Sequence, residues 1–300
     1  MLKVVLFASL FSLIFCATYY STEAYSYRPT SDITTASSPM IRFFLDLNKN
    51  AYCYYGNISP SGCLNCSFPS GLSSYYRGRE TTKSTSYNYF IFKSTTYKKI
   101  YVAFPGTRGK KQLASEVLQS YLTKYGSYKI VNYFKDRADA LRSLVKSSLT
   151  HALSETPDYQ VIFTGHSLGG AVASIMALYM YEDGVVNSSH RITLVTFGQP
   201  KTGNLAFSNK IMSIAKKVIR IVRDHDSVTE LAFDIPIVQD LYHLGGQVLL
   251  NHALTQYYIC SYYQTQDFTG NCAFKYSKSS DDHNYLPTEP GLSEVCGQTY

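Results

Sequence analysis

The stretch best equipped for chemistry in this chain is Gly165-His166-Ser167-Leu168-Gly169, a serine with a glycine two residues to either side. A serine hydroxyl becomes a nucleophile only when a histidine takes its proton and a carboxylate orients that histidine. The negative oxygen formed in such a reaction also needs N–H donors aimed at it. Candidates for every part are present. Asp224 and Asp226 follow an apolar run, and His225, His243, His252 and His283 all lie downstream of the serine. Composition alone does not choose among them.

These groups have to be held by particular elements. Val161 to Thr164 read as a short buried strand, and the residues after Ser167 as a helix running to about Tyr181. A serine at such a strand-to-helix corner is strained, and only very small neighbours permit the turn. Gly165 and Gly169 are those neighbours, while Gly170 and Ala171 let the helix pack close behind. The corner raises the Ser167 hydroxyl above the sheet and aims the Leu168 N–H, at the helix N-terminus, into the same space. His166 is expected to point away from the hydroxyl, as a partly packed or surface residue.

Further strands are expected at 86–92, 99–104, 192–197 and 217–222, and helices at 40–47 and 136–154. Ala138, Leu141, Val145, Leu149 and Ala152 share one face of the longer helix. The stretch from Cys53 to about Lys83 reads as loop, and regularity fades after Asp226. Strands separated by helices point to an α/β fold of one domain, with a mostly parallel central sheet and helices on both faces. The chain carries 28 basic and 21 acidic residues, with 28 tyrosines and no tryptophan. That mild positive balance suits an anionic lipid surface, and no dense Lys/Arg run of the nucleic-acid kind occurs.

Met1-Leu2-Lys3 and the apolar run from Val4 to Ala17 form a signal-peptide pattern, residues 1–17, with cleavage between Ala17 and Ala24. The mature domain is then 25–300. Setting Cys16 aside with the leader leaves Cys53, Cys63, Cys66, Cys260, Cys272 and Cys296, an even count that suggests disulfides in an exported protein. Cys63-x-x-Cys66 lacks a second pair for a metal site, so no metal or organic cofactor is expected. Sequons occur at Asn57, Asn65 and Asn187.

Several motifs now converge. Thr164-Gly-His-Ser-Leu-Gly-Gly-Ala171, Thr196-Phe-Gly-Gln-Pro-Lys-Thr-Gly-Asn204, Arg220-Ile-Val-Arg-Asp-His-Asp226-Ser-Val228 and Asp282-His283-Asn-Tyr285 stand in that order. In them, from about Ala51 to Cys296, the chain resembles the class 3 lipases, a family that includes secreted lipases and feruloyl esterases of filamentous fungi. The resemblance implies an α/β-hydrolase fold, with Ser167 as nucleophile, Asp226 as acid and His283 as base. It makes His243 a nearby structural histidine. Phe104-Pro105-Gly106-Thr107 matches the family's F-R-G-T segment, so the Thr107 N–H joins that of Leu168 in an oxyanion hole, with the Thr107 hydroxyl as a third donor. Carried over, the cysteine pattern implies Cys53–Cys296, Cys63–Cys66 and Cys260–Cys272.

Three departures stand out. Pro105 replaces the usual Arg, the family's H-x-G-F segment appears as Val131-Asn-Tyr-Phe134, and the lid region after Thr107 lacks its usual Trp. The implied activity is that of a secreted ester hydrolase acting on lipid esters, with soluble aromatic or short-chain esters as the alternative. A non-catalytic lipid-binding relative is the rival of a different class. The expected partners are an ester substrate and a lipid–water interface, with no nucleic acid, and the protein is expected to be monomeric. Between Thr107 and Lys124, Leu113, Val117, Leu118, Tyr121 and Leu122 fall on one helical stripe. The stripe alone suits an ordinary surface helix packed on the core, and the resemblance implies instead a mobile lid over Ser167.

Overall fold

The computed structural model describes residues 39–53, 71–72, 74–82, 85–107, 120–224, 226–229, 240–252, 257–260 and 282–283. Its centre is a sheet of eight strands, β1 (Ser74–Thr82), β2 (Thr85–Ser94), β3 (Lys99–Phe104), β6 (Gln160–His166), β7 (Thr193–Phe197), β8 (Lys217–Arg223), β9 (Gly246–Leu250) and β10 (Tyr257–Cys260), in that spatial order. The five strands from β3 to β9 run parallel, while β1, β2 and β10 are antiparallel to their neighbours. A separate hairpin pairs β4 (Leu122–Tyr125) with β5 (Tyr128–Val131), turning through Gly126 at φ +58°.

Both faces of the sheet are buried, as the continuous apolar runs of β3 and β6 require. Along β3, Ile100, Val102 and Phe104 face one core, while Tyr101 and Ala103 face the other. Helix α1 (Pro39–Cys53) covers the second face with Ile41, Phe44, Leu45, Ala51 and Tyr52. Helices α2 (Asn132–Glu155), α3 (Leu168–Glu182) and α4 (Leu205–Ile214) cover the first. The five residues expected on the inner stripe of α2 are all buried there. Helix α3 is apolar all round and buried from Leu168 to Met180, which suits a helix wedged between the sheet and its neighbours.

Several expectations need correcting. The presumed loop before Lys83 contains β1, whose polar sequence is that of a sheet edge facing water on its outer side. Gly78 of that strand lies under the Tyr89 ring, where a Cβ would come within 2.2 Å. Beyond Asp226 the sheet continues with β9 and β10. Leu122 opens β4, and Tyr121 is 60 % exposed, so neither extends the helical stripe. The rest of the proposed lid, 108–119, lies outside the described residues, as do the leader, Asn57, Asn65 and the side chains of Cys53, Cys63, Cys66, Cys272 and Cys296. Cys260, buried on β10, is disulfide-bonded. Asn187 is exposed and caps the 3-10 turn Ser188–His190.

Candidate active site

The corner between β6 and α3 forms because its glycines leave no room for anything larger. A Cβ on Gly165 would lie 2.1 Å from the Gly169 carbonyl oxygen, and one on Gly169 would lie 2.1 Å from that of Phe104. The first turn of α3 therefore rests directly on β6 and on the end of β3. Ser167 pivots between them at φ +59°, ψ −130°, a backbone state that costs on the order of 1–3 kcal/mol and persists only when its surroundings enforce it. Its N–H donates to the Phe197 carbonyl at 2.8 Å, and its own carbonyl accepts from Gly170 N–H at 2.9 Å.

The Pro105-Gly106-Thr107 turn presses on this corner. At Gly106 a Cβ would meet Tyr52 Oη at 2.2 Å, the His166 carbonyl oxygen at 2.7 Å and Ser167 Cβ at 3.0 Å. Thr107 thus follows a residue in contact with the serine, and Leu168 opens α3 on the serine's other side.

Asp226 stands just past β8, fully buried. Both of its carboxylate oxygens lie 2.9 Å from His283 Nδ1, and Oδ1 also accepts the Val228 N–H at 2.9 Å. Burial pushes the Asp226 carboxyl up, but His283, the Val228 N–H and His166 together hold it below its ordinary value. As a carboxylate it can only accept, so His283 carries its proton on Nδ1 and leaves Nε2 with a lone pair. Asp224, the other candidate acid, is bound through its N–H to Leu250 O on β9.

Among the described residues, Ser167 Oγ and His283 Nε2 are buried and have no hydrogen-bond partner. Two contacts bring their residues close. His283 packs against His166, the residue before the serine, with ring centroids 4.5 Å apart and the rings tilted by 35°. Gly198 adjoins the carbonyl that binds Ser167 N–H, and a Cβ on it would lie 2.7 Å from Asp226 Oδ2 and 2.9 Å from His283 Nδ1.

His166 does not behave as expected. It is 3 % exposed and packed on His283 rather than turned away to the surface. Its Nε2 lies 2.9 Å from the His283 carbonyl oxygen, which can only accept, so that nitrogen carries the proton. Nδ1 then accepts from Tyr52 Oη at 2.9 Å. The end of α1 is in this way tied to the loop that bears His283.

The other histidines are engaged elsewhere. His243 is buried with Nδ1 at 2.8 Å from Arg220 Nη1, so it must accept. Burial first, then the Arg220 and Lys201 charges, push its pKa well below the usual value and keep it neutral. His252 pairs through Nδ1 with the buried Asp282 at 2.7 Å. His225 lies outside the described residues. Sequence reasoning missed Gly198, Tyr52 and the inward turn of His166. The glycine between Phe197 and Gln199 was a readable sign of tight packing at a strand end, whereas nothing local marked the other two.

The sequence pattern described as Lipase (class 3) matches residues 101–235, a span holding most of β3 together with Thr107, Ser167, Leu168 and Asp226. The match covers a little under half of the chain, which over that span is similar to the class 3 lipases. A lipase of Rhizomucor miehei is 26 % identical over 260 residues, 84 % of this chain and 69 % of that protein. A Caenorhabditis elegans lipase, ZK262.3, is 33 % identical over 145 residues, 47 % of this chain and 40 % of its own length. Here the match spans well under two thirds of the relative. A solved triacylglycerol lipase, described as having a serine-protease triad as its catalytic centre, superposes with a TM-score of 0.74 at 24 % identity. That likeness covers 89 % of this chain and all of the other, and it identifies the architecture as the α/β-hydrolase fold.

Proposed function

We propose that this chain is a secreted serine carboxylic-ester hydrolase acting on lipid esters of the acylglycerol type. One juxtaposition carries the reading: a strained, buried, unpartnered Ser167 hydroxyl next to His166, on which packs an imidazole whose Nδ1 is fixed on Asp226 and whose Nε2 is unpartnered. Ser167 Oγ attacks the ester carbonyl carbon as its proton passes to His283 Nε2. Asp226 holds the ring and stabilises the imidazolium that forms. The carbonyl oxygen, now negative, is received by the N–H groups of Leu168 and Thr107 and by the Thr107 hydroxyl. Each such donor is worth about 2.7–4 kcal/mol in the transition state. His283 then protonates the departing alcohol, and water activated by the same nitrogen releases the acid.

Within this reading residues 1–17 are a leader, 25–300 form the mature domain, and the bridges are Cys53–Cys296, Cys63–Cys66 and Cys260–Cys272. The disulfide at Cys260 supports export. A fluorophosphonate probe should label the wild type and not Ser167→Ala; equal labelling of both would overturn the assignment of the nucleophile. The substrate class is tested by assaying one ester through its solubility limit. An abrupt rise in rate supports action at a lipid interface, and a smooth saturation curve rejects it in favour of soluble esters.

A further inference from the structure

The side chain of Thr107 meets a neighbour that the mechanism above does not use. Its Oγ1 lies 3.5 Å from Tyr133 Oη, and Tyr133 in turn accepts a hydrogen bond from Arg137 Nη2. Tyr133 and Arg137 sit four residues apart on the first turns of α2, so they share a face. The guanidinium carbon lies 4.4 Å from the Tyr133 ring centroid and 5.0 Å from that of Tyr87, an arrangement that pins the cation over two aromatic faces. Arg137 also lines a small cleft with Asn88, Pro105, Gly106 and Leu168. Its charge therefore lies beside both strands of backbone that flank the expected oxyanion.

The first direction in this chain of hydrogen bonds follows from what each group can do. A guanidinium only donates, so Tyr133 Oη must accept from Arg137. The Tyr133 O–H is still able to donate to Thr107 Oγ1, and in that arrangement the Thr107 O–H is available to a third group. Resting on the ester-hydrolase reading, we propose that Arg137 and Tyr133 are positioning residues that polarise the Thr107 hydroxyl toward the oxyanion. Hydrogen bonds in series strengthen one another, so a negative oxygen on Thr107 draws the Tyr133 hydroxyl in from its long resting distance. The cation reaches the reaction through two hydroxyls without touching substrate.

A double-mutant cycle in the full chain tests this, with a soluble p-nitrophenyl ester as substrate and melting curves recorded for every variant. Thr107→Val removes the hydroxyl, keeps the backbone N–H, and should lower kcat about 100-fold. Tyr133→Phe and Arg137→Met should each lower kcat about tenfold and leave KM within about twofold, because the effect is confined to the transition state. Arg137→Lys, which keeps a donor and the charge, should recover most of that loss. The deciding figure is Tyr133→Phe on the Thr107→Val background, expected to cost less than about twofold. A full tenfold loss there, or losses seen only in KM or melting temperature, overturns the relay while leaving the ester-hydrolase reading intact. A wild type that hydrolyses no ester overturns both.

Discussion

Gly198→Ala probes the geometry of the Asp226–His283 pair without touching either residue. Gly198 has φ +54°, so any side chain there adopts the left-handed region at a cost of about 1–2 kcal/mol. The added methyl would also stand 2.7 Å from Asp226 Oδ2 and 2.9 Å from both Cε1 and Nδ1 of His283. Ordinary contact lies near 3.4 Å or beyond, so the pair must retreat by roughly half an ångström or more. Misplacement of reacting groups by about 1 Å costs on the order of 100-fold in rate. A fall in kcat of about 10- to 100-fold is therefore expected. Gly184→Ala is the matched control, with φ +70° and open space around its Cβ. Gly184→Ala should lose about 1–2 kcal/mol in urea unfolding and Gly198→Ala at least as much, and only Gly198→Ala should lose turnover on a soluble ester. If Gly198→Ala turns over within twofold of Gly184→Ala, the pair does not sit at the chemistry as argued.

Ser167→Ala and His283→Ala should each lower turnover by about a thousandfold or more, and the double variant little further, since such groups act as a unit; multiplicative losses in steady-state rates would contradict a shared step. His243 has its pKa held well down in the fold, so below about pH 6.5 the unfolded chain takes up a proton that the folded chain does not. Stability should fall with pH by up to about 1.4 kcal/mol per unit from that point, and His243→Gln should flatten the slope in urea titrations at pH 7 and pH 5.5. His190, also pushed down by burial, keeps a smaller slope of the same sign, and identical slopes in the two proteins would refute the argument. Non-reducing peptide mapping should join Cys260 to Cys272 and Cys53 to Cys296, the latter closing a loop worth about 4–5 kcal/mol; a peptide joining Cys53 to Cys63 would contradict it.

How much of this could be read from the sequence depended on how local each feature is. The serine corner was legible because its demands fall on consecutive residues: a short strand, then small residues at fixed offsets. The inner stripe of α2 was legible for the same reason, its helical repeat being written along the chain. Asp226 and His283 were not separable from Asp224, His243 and His252 by residue type. Only the family resemblance distinguished them, because the acid and base meet through the sheet and not through sequence. Strand β1 escaped notice because an edge strand needs little apolar pattern, and β9 and β10 because five or four residues carry too little period. Helix α4 did leave a sign in Asn204, whose side chain caps the Phe207 N–H. His166 was misjudged because direction from a corner was considered without His283, which packs against it.

The tie between His166 and the His283 carbonyl spans 117 residues, and Asp226 is 57 residues before its histidine. During synthesis the serine and the acid emerge well ahead of the base. A chain that ends before His283 has no group in that place to take the proton. Under the proposed mechanism, turnover begins only when the last of these pieces docks. Activity under that mechanism doubles as a report that His283 has docked against His166 and Asp226.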